Sequence, residues 1–264
     1  MAAPDTITAA QLSRLIGTPD APCIIDVRAV ERNAATGRLL PASLPRDYRT
    51  VATWAPDYAG KAAVVVCARG GGLSQGVAAW LRQAGARAEY LEGGFDAWLQ
   101  AGGLLIRPDR IPPRNAQGKT VWVARSRPKI DRIACPWLIR RFIDPDAVFL
   151  FVAQSEVAGV AERFGATPFD LDGNFWSHRG EACTFDVMFE EFGLDSPALA
   201  RLATIVRGAD TARLDIAPEA SGFLAASLGL SRMYRNDLAQ LDAAMGLYDA
   251  FYRWARDAVS ETHT

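Results

Sequence analysis

Two hydrophobic periods alternate along the first hundred residues. Short apolar runs of strand length occur at 23–27 (CIIDV), 62–66 (AAVVV) and 88–91 (AEYL). Between the last two lies LSQGVAAWLRQAG, in which Val77, Leu81 and Ala84 recur at helical spacing beside Trp80, and Gly85 is placed to end the helix. Strand, helix and strand in that order predict the crossover of a parallel βαβ unit. Further amphipathic helices are predicted at about 9–16, with Thr8 as N-cap, and at 95–100 after the Gly93-Gly94 turn, so that helices cover both faces of the sheet. The stretch 32–61 is crowded with turn formers and predicts no regular element.

Beyond residue 102 the pattern changes. Residues 103–119 contain three Pro and no sustained periodicity, and they read as an extended linker. A strand is predicted at 120–127 (TVWVARSR), a helix at 131–142 interrupted by Pro136, and another strand at 147–152. Helices follow at about 155–164, 185–192, 197–209 and 236–258. The third has Ser196 as N-cap, Pro197 at its first position and a stripe of Leu199, Leu202, Ala203 and Val206. The last carries Leu238, Leu241, Met245, Tyr248 and Ala255 on one face, which reads as core. The expected fold class is therefore α/β: a parallel-sheet domain at 1–105, a linker at 106–119, and a mainly helical α+β domain at 120–264.

Composition adds bounds. With 264 residues, 50% hydrophobic and 22% charged, the chain is long enough for two packed cores and is neither disordered nor collagenous. No apolar run approaches the length of a membrane span, and the start lacks a basic flank followed by an apolar stretch, so no membrane partner and a cytoplasmic protein are expected. The net charge of −1 hides a segment, 107–141, with ten Lys or Arg against two Asp or Glu, while 142–264 carries nine against nineteen. Such a basic stretch suits an oxyanion, or the acidic remainder; no recognition helix with a dimerising element accompanies it, so nucleic acid is not expected as a partner. The four Cys form no CxxC, which argues against a disulfide scaffold or a structural zinc cluster.

The segment VVVCARGGGLSQG, 64–76, bears chemistry. Cys67 ends a β-branched run and precedes three Gly and a helix with Ser74 as cap candidate. Amides of a Gly-rich turn and a helix start can converge on an anion beside the sulfur, and the same field lowers a thiol pKa. Cys67 is thus a candidate nucleophile, the alternative being a small buried hydrophobe at a strand end.

Together IIDVR (24–28), the strand-Cys-loop-helix at 64–81 and YLEGGFDAWLQAG (90–102) resemble a rhodanese domain across about 5–104. The resemblance implies sulfane-sulfur transfer from a small sulfur-containing donor, or from a protein persulfide, through a persulfide on Cys67. It makes Gly70, Gly71, Gly72 and Ser74 the anion-cradling positions, and it groups Asp26 and Arg28 with Cys67 and Arg69 as loop-supporting members of the catalytic set. The loop departs from the usual Cys-x-x-Gly-x-Arg-Ser: the late Arg is missing, and Arg69 is the guanidinium left to replace it.

In the second half Arg125, Arg127, Lys129, Arg132, Arg140 and Arg141 gather around Cys135-Pro136-Trp137, where helical spacing suggests an oxyanion pocket near Arg132 with Cys135 at its edge, or a solvated basic face. His178 is one of two His, the other being His263 in the tail, and it lies three residues before Glu181. His with a carboxylate at that spacing, joined by Asp210 and Glu219 from elsewhere, would suit Mn, Fe or Zn; the alternative is a hydrogen bond between His178 and Glu181 with no ion. The segments at 124–152, 177–194 and 202–222 resemble the C-terminal domain of bacterial chromate-resistance proteins of the ChrB type. That resemblance implies a link to chromate or oxidative stress resistance, supports the metal set His178, Glu181 and Asp210, and puts Arg132 and Cys135 beside an oxyanion. Two functions follow as expectations: a sulfurtransferase joined to a metal-binding domain, or a non-catalytic sensor of chromate or sulfate. The regulator form's DNA-binding region is not found, with a rhodanese-like domain in its place.

Overall fold

The computed structural model describes residues 5–28 and 37–261, so His263 lies outside the described residues. The chain divides into two compact units, Met1–Pro108 and Asp109–Thr264.

The first unit is built on a parallel sheet of β1 (Thr6–Ile7), β2 (Cys23–Asp26), β3 (Ser43–Pro45), β4 (Ala62–Val66) and β5 (Arg87–Leu91), in the order β1-β5-β4-β2-β3. Every pairing is parallel, with Ile25 opposite Val65 at the centre. The helices are α1 (Ala9–Leu15), α2 (Val51–Trp54), α3 (Gly72–Gln83) and α4 (Gly94–Gln100). Thr8 caps α1 reciprocally: its hydroxyl accepts from the Gln11 N–H and its own N–H donates to the Gln11 side chain. Val77, Ala78 and Leu81 of α3 bury against Ile25 and Val65 in the core. Of the stretch expected to be irregular, residues 32–36 lie outside the described residues, and the rest holds β3, α2 and two short 3₁₀ turns. Elements of three or four residues leave too few positions for a period to show.

Strand order places the chemistry. From β2 the chain runs to β3 on one side and then returns to β4 on the other, so the connections diverge at the carboxyl ends of β2 and β4, where α/β sheets place ligands. Cys67 follows β4 there. The first turn of α4 seals the loop: the Phe95 N–H donates to the Cys67 carbonyl at 2.9 Å and the Asp96 N–H to the Ala68 carbonyl at 3.0 Å. Gly70 and Gly94 both sit at positive φ, +65° and +61°, and each lies where a Cβ would strike the other segment's backbone.

The second unit has a parallel sheet of β6 (Val121–Arg125), β7 (Val148–Val152) and β8 (Thr167–Pro168) in the order β7-β6-β8. Among the described residues its α-helices are α5 (Ile130–Leu138), α6 (Val157–Phe164), α7 (Thr184–Glu191), α8 (Pro197–Asp210), α9 (Ala220–Met233) and α10 (Asp237–Arg253). α5 runs through Pro136, which has no N–H for the Arg132 carbonyl, and then widens into a π turn at Ile139–Ile143. α9 was not expected: with Gly222, Gly229 and three Ser its propensity is poor, and packing against α8 and α10 overrides it. Trp137 centres the core, stacked on Phe185 and flanked by Phe142, Tyr248 and Tyr252. The expected linker is tied at both ends: Ile106 is buried and bridges Leu39, while Arg114 bridges Thr120 and pairs with Asp144 at 2.9 Å.

Gly94→Ala tests the loop-to-turn packing. Left-handed backbone alone costs about 1–2 kcal/mol for an L side chain, and the backbone collision adds to it. Denaturant unfolding of the full chain should show a loss at least that large; an unchanged midpoint would contradict the packing.

Candidate functional site

Cys67 is buried at the head of a ring of donors. Its Sγ lies 3.1 Å from the Ser74 hydroxyl, which also donates to the Gly71 carbonyl at 3.1 Å and so has a proton to turn toward sulfur when the thiolate forms. Burial pushes the thiol pKa up, but the Ser74 hydroxyl and the amides of Arg69, Ser74 and Gly71 outweigh it, and the thiol is held below its usual range. Gly71 caps α3 and Gly72 begins it, so the helix start adds its field. Arg69 gives its amide to the sulfur while its side chain is exposed, with no ion pair among the described residues.

Asp26 and Arg28, expected as loop-supporting members of the catalytic set, lie behind the loop. They form a buried pair at 2.7 Å, and the Arg28 guanidinium lies 3.5 Å over the Phe95 ring. Since the Phe95 N–H holds the Cys67 carbonyl, the pair supports the loop from behind; neither side chain is among the groups that bond the sulfur.

In the second unit four side chains from separate parts of the chain converge. His178 Nε2 lies 3.4 Å from Asp131 Oδ2, 3.4 Å from Asp170 Oδ1 and 3.3 Å from Asp210 Oδ2. Asp131 is in the first turn of α5, Asp170 two residues past β8, Asp210 at the end of α8. β6 has β7 on one side and β8 on the other, so the crevice between the ends of β6 and β8 is again where connections diverge, and Arg125 and Asp170 lie there.

The spacing of these contacts is one that a metal site can have. One N–H serves one good acceptor at about 2.7–3.2 Å, whereas three oxygens stand farther off at nearly one distance. Ligand atoms bonded at about 2.0–2.1 Å to a tetrahedral ion lie about 3.3–3.4 Å apart, the separation found around Nε2. Asp131, Asp170 and His178 form a cluster capable of holding a metal ion, their ligand atoms all within 4.8 Å of one another. Asp210 stands at the imidazole but is not a member of that group. Outer contacts orient the carboxylates, as metal sites require. Asp131 accepts the N–H groups of Thr184 (2.6 Å) and Phe185 (2.9 Å) at the start of α7, and Asp170 Oδ1 accepts the Thr184 hydroxyl at 3.2 Å. α10 fixes the approach to Asp131, since the Tyr248 hydroxyl donates to the Ile130 carbonyl and the Gln240 amide to the Pro128 carbonyl, both at 2.7 Å.

The charges follow from that crowding. Burial raises Asp131 to about 6, against the His178 contact that lowers it and with Asp210 and Asp170 adding repulsion. Burial also works against Asp170, but His178, Arg132 and Arg125 outweigh it and hold the carboxyl below its usual range. The contacts to Asp131, Asp170 and Asp210 push His178 up to about 12.

Not every expected residue joins this group. Glu181 is at the tip of a tight turn closed by two Arg179–Ala182 backbone bonds, so its side chain is thrown outward, 84% exposed and paired with Arg213. Glu219 precedes α9 beside Pro218, Gly222 and Trp254, and it too is outside the cluster. Cys135 is wholly buried instead of edging a pocket; its thiol lies 3.8 Å from Asp131, and burial beside that carboxylate pushes its pKa far up, so it is a neutral thiol. Arg132 pairs with Asp170 at 3.0 Å and donates to the Ser126 carbonyl. Asp131 and Asp170 were missed. A buried acid in an otherwise apolar helix start, and an acid just past a parallel strand, were the available signals.

Residues 122–255 match the family described as ChrB, C-terminal domain, which is more than half of the chain. The chain belongs to the ChrB C-terminal domain family. A rhodanese-like domain, matched over residues 8–101, precedes the ChrB-type domain. Protein ChrB of Cupriavidus metallidurans is 36% identical over 181 residues, 64% of this chain and 53% of that protein, so the chain spans about half the length of the curated relative it matches. Among solved structures, a rhodanese-related protein from Thermoplasma volcanium is 24% identical over 38% of this chain and 95% of its own, with a TM-score of 0.34. A rhodanese-like domain protein from Staphylococcus aureus is 28% identical over 36% of this chain and 90% of its own, with a TM-score of 0.32.

A metal ion held by this cluster would displace the His178 proton, because only neutral imidazole is a ligand. The metal-free site keeps that proton up to about pH 12, so raising the pH favours the loaded form. The affinity for Mn²⁺ should rise about tenfold per pH unit near neutrality, one proton being released per ion. Calorimetry in buffers of different ionisation enthalpy counts the protons; a pH-independent affinity with none released would contradict the arrangement.

Proposed function

We propose that the chain is a cytoplasmic sulfur carrier of the rhodanese type, in which Cys67 takes sulfane sulfur as a persulfide and the ChrB-type domain binds a divalent ion. The observation that carries the first part is the thiol with lowered pKa inside a ring of amides and the Ser74 hydroxyl. No helix of the described residues is long and apolar enough to cross a membrane.

With thiosulfate as donor, the Cys67 thiolate attacks the sulfane sulfur. A bond forms between Sγ and that sulfur, the donor's S–S bond breaks, and sulfite leaves with the electron pair. The terminal sulfur then carries the negative charge, and the amides of Arg69, Gly71 and Ser74 that stabilise the thiolate stabilise the persulfide too. An acceptor nucleophile takes the sulfur and returns the thiolate. A protein persulfide serves as donor by the same exchange. Arg69 is the cationic group of the loop and steadies the donor's oxyanion end from its exposed position.

In the ChrB-type domain His178 with Asp131 and Asp170 would hold the ion, and Asp210 is the further carboxylate at the imidazole. One imidazole among carboxylates favours Mn, Fe or Zn over copper. A bound ion would supply Lewis acidity there. Asp131 and Asp170 are held by the α7 amides and the Thr184 hydroxyl, so this chain contributes a pre-oriented set. A role in chromate or oxidative stress resistance follows the family resemblance. A sensor that holds oxyanions without turnover is the second reading, favoured by Arg69 standing in solvent.

Persulfide mass analysis after exposure to thiosulfate separates the two. Native protein should gain one sulfur on Cys67, and Cys67→Ser should abolish both the adduct and turnover; normal turnover by that variant would refute the assignment. Arg69→Ala should lower kcat/KM for thiosulfate by roughly tenfold or more, about 1.4 kcal/mol of transition-state stabilisation. Unchanged kinetics would leave the oxyanion to the amides alone.

A further inference from the structure

The carboxylate of Asp170 faces two ways. Oδ1 lies toward His178, while Oδ2 takes Arg125 at 3.3 Å and Arg132 at 3.0 Å. Two guanidiniums therefore share one carboxylate oxygen and keep further N–H groups that this oxygen does not take. Arg125 Nε is buried and has no hydrogen-bond partner, an orphaned charged donor of the kind that calls for a ligand. Arg125 and His178 are also the open members of the group, their side chains 37% and 38% exposed against 2% for Asp131, so a ligand has access from that side.

A charge count decides the ligand's sign. With a divalent ion seated and the imidazole neutral, the ion and two guanidiniums oppose the three carboxylates of Asp131, Asp170 and Asp210, leaving a surplus of one positive charge. Without the ion, the two guanidiniums face the same three carboxylates and no positive surplus draws an anion, whichever form the imidazole takes.

Building on the metal reading above, we propose that the loaded site binds a tetrahedral oxyanion of the phosphate or sulfate class, one oxygen on the ion and others on Arg125 and Arg132. Asp170 is the partition between the two halves: it offers one oxygen to the ion and holds the anion-binding guanidiniums with the other. The anion site is therefore conditional on metal. This site differs from the oxyanion cradle at Cys67, which needs no ion.

The full chain titrated first with Mn²⁺ and then with inorganic phosphate tests this. Phosphate should bind the Mn²⁺-loaded chain at least tenfold tighter than the metal-free chain, and manganese should broaden the ³¹P resonance of bound phosphate. Arg125→Gln should weaken phosphate at least tenfold without weakening Mn²⁺, and Arg125→Lys should recover part of the loss. Sulfate should compete. Equal phosphate affinity with and without Mn²⁺, or no effect of Arg125→Gln in a chain that still binds Mn²⁺, would overturn the inference. Failure of Mn²⁺ to bind at all, seen in the first titration, would instead refute the metal reading and the inference with it.

Discussion

A carboxylate removed from water must be met by donors or positive charge, and Asp131, almost wholly buried, imposes that demand on the ChrB-type domain. Its two oxygens take two amides at the start of α7, so α5 and α7 are joined through one acid, and His178 supplies the charge. The imidazole in turn draws in Asp170 from the end of β8 and Asp210 from the end of α8. Removing Asp131 would release α7 from α5 and take away one side of the cluster at once. The neutral Cys135 thiol beside it is consistent with this: a second charge could not be tolerated there.

Both units obey one topological rule. Each is a parallel sheet whose connections diverge to opposite sides of a strand, and each puts its chemistry at the carboxyl ends bordering that divergence. In the rhodanese-like domain the result is a single sulfur ringed by amides, where positive φ at Gly70 and Gly94 lets two backbones touch. In the ChrB-type domain it is a set of side chains, because β6 and β8 end in Arg125 and, two residues on, Asp170.

What could be seen in the sequence follows from locality. The Cys67 site lies within thirteen consecutive residues, strand then Gly run then helix, and its donors are the Ser74 hydroxyl and backbone amides of that same run. The major helices of the second unit were legible where a cap and a stripe coincide, as at Ser196 and Pro197; α9, made of small residues, had neither. Of the candidate metal cluster only His178 was legible, while Asp210 stands at its imidazole outside that group. Nearness in sequence suggested Glu181, but a two-residue turn reverses the chain between Arg179 and Ala182 and sends Glu181 outward. Asp131 and Asp170 are separated from His178 by the folding of α5 and β8 around it, and no local period records that. Cys135 looked like a pocket edge because it sits among Arg residues, yet the α5 face it occupies is the core face.

The central claim is that three carboxylates surround one imidazole nitrogen because the site takes a metal ion. Anomalous diffraction from crystals of the full chain without a polyhistidine tag, grown with Mn²⁺ or Zn²⁺, tests it most directly. The account predicts a single strong peak within about 2.0–2.2 Å of His178 Nε2 and of oxygens from Asp131 and Asp170. A peak at Glu181 or Glu219, or none at His178 in crystals that hold the metal elsewhere, would contradict it.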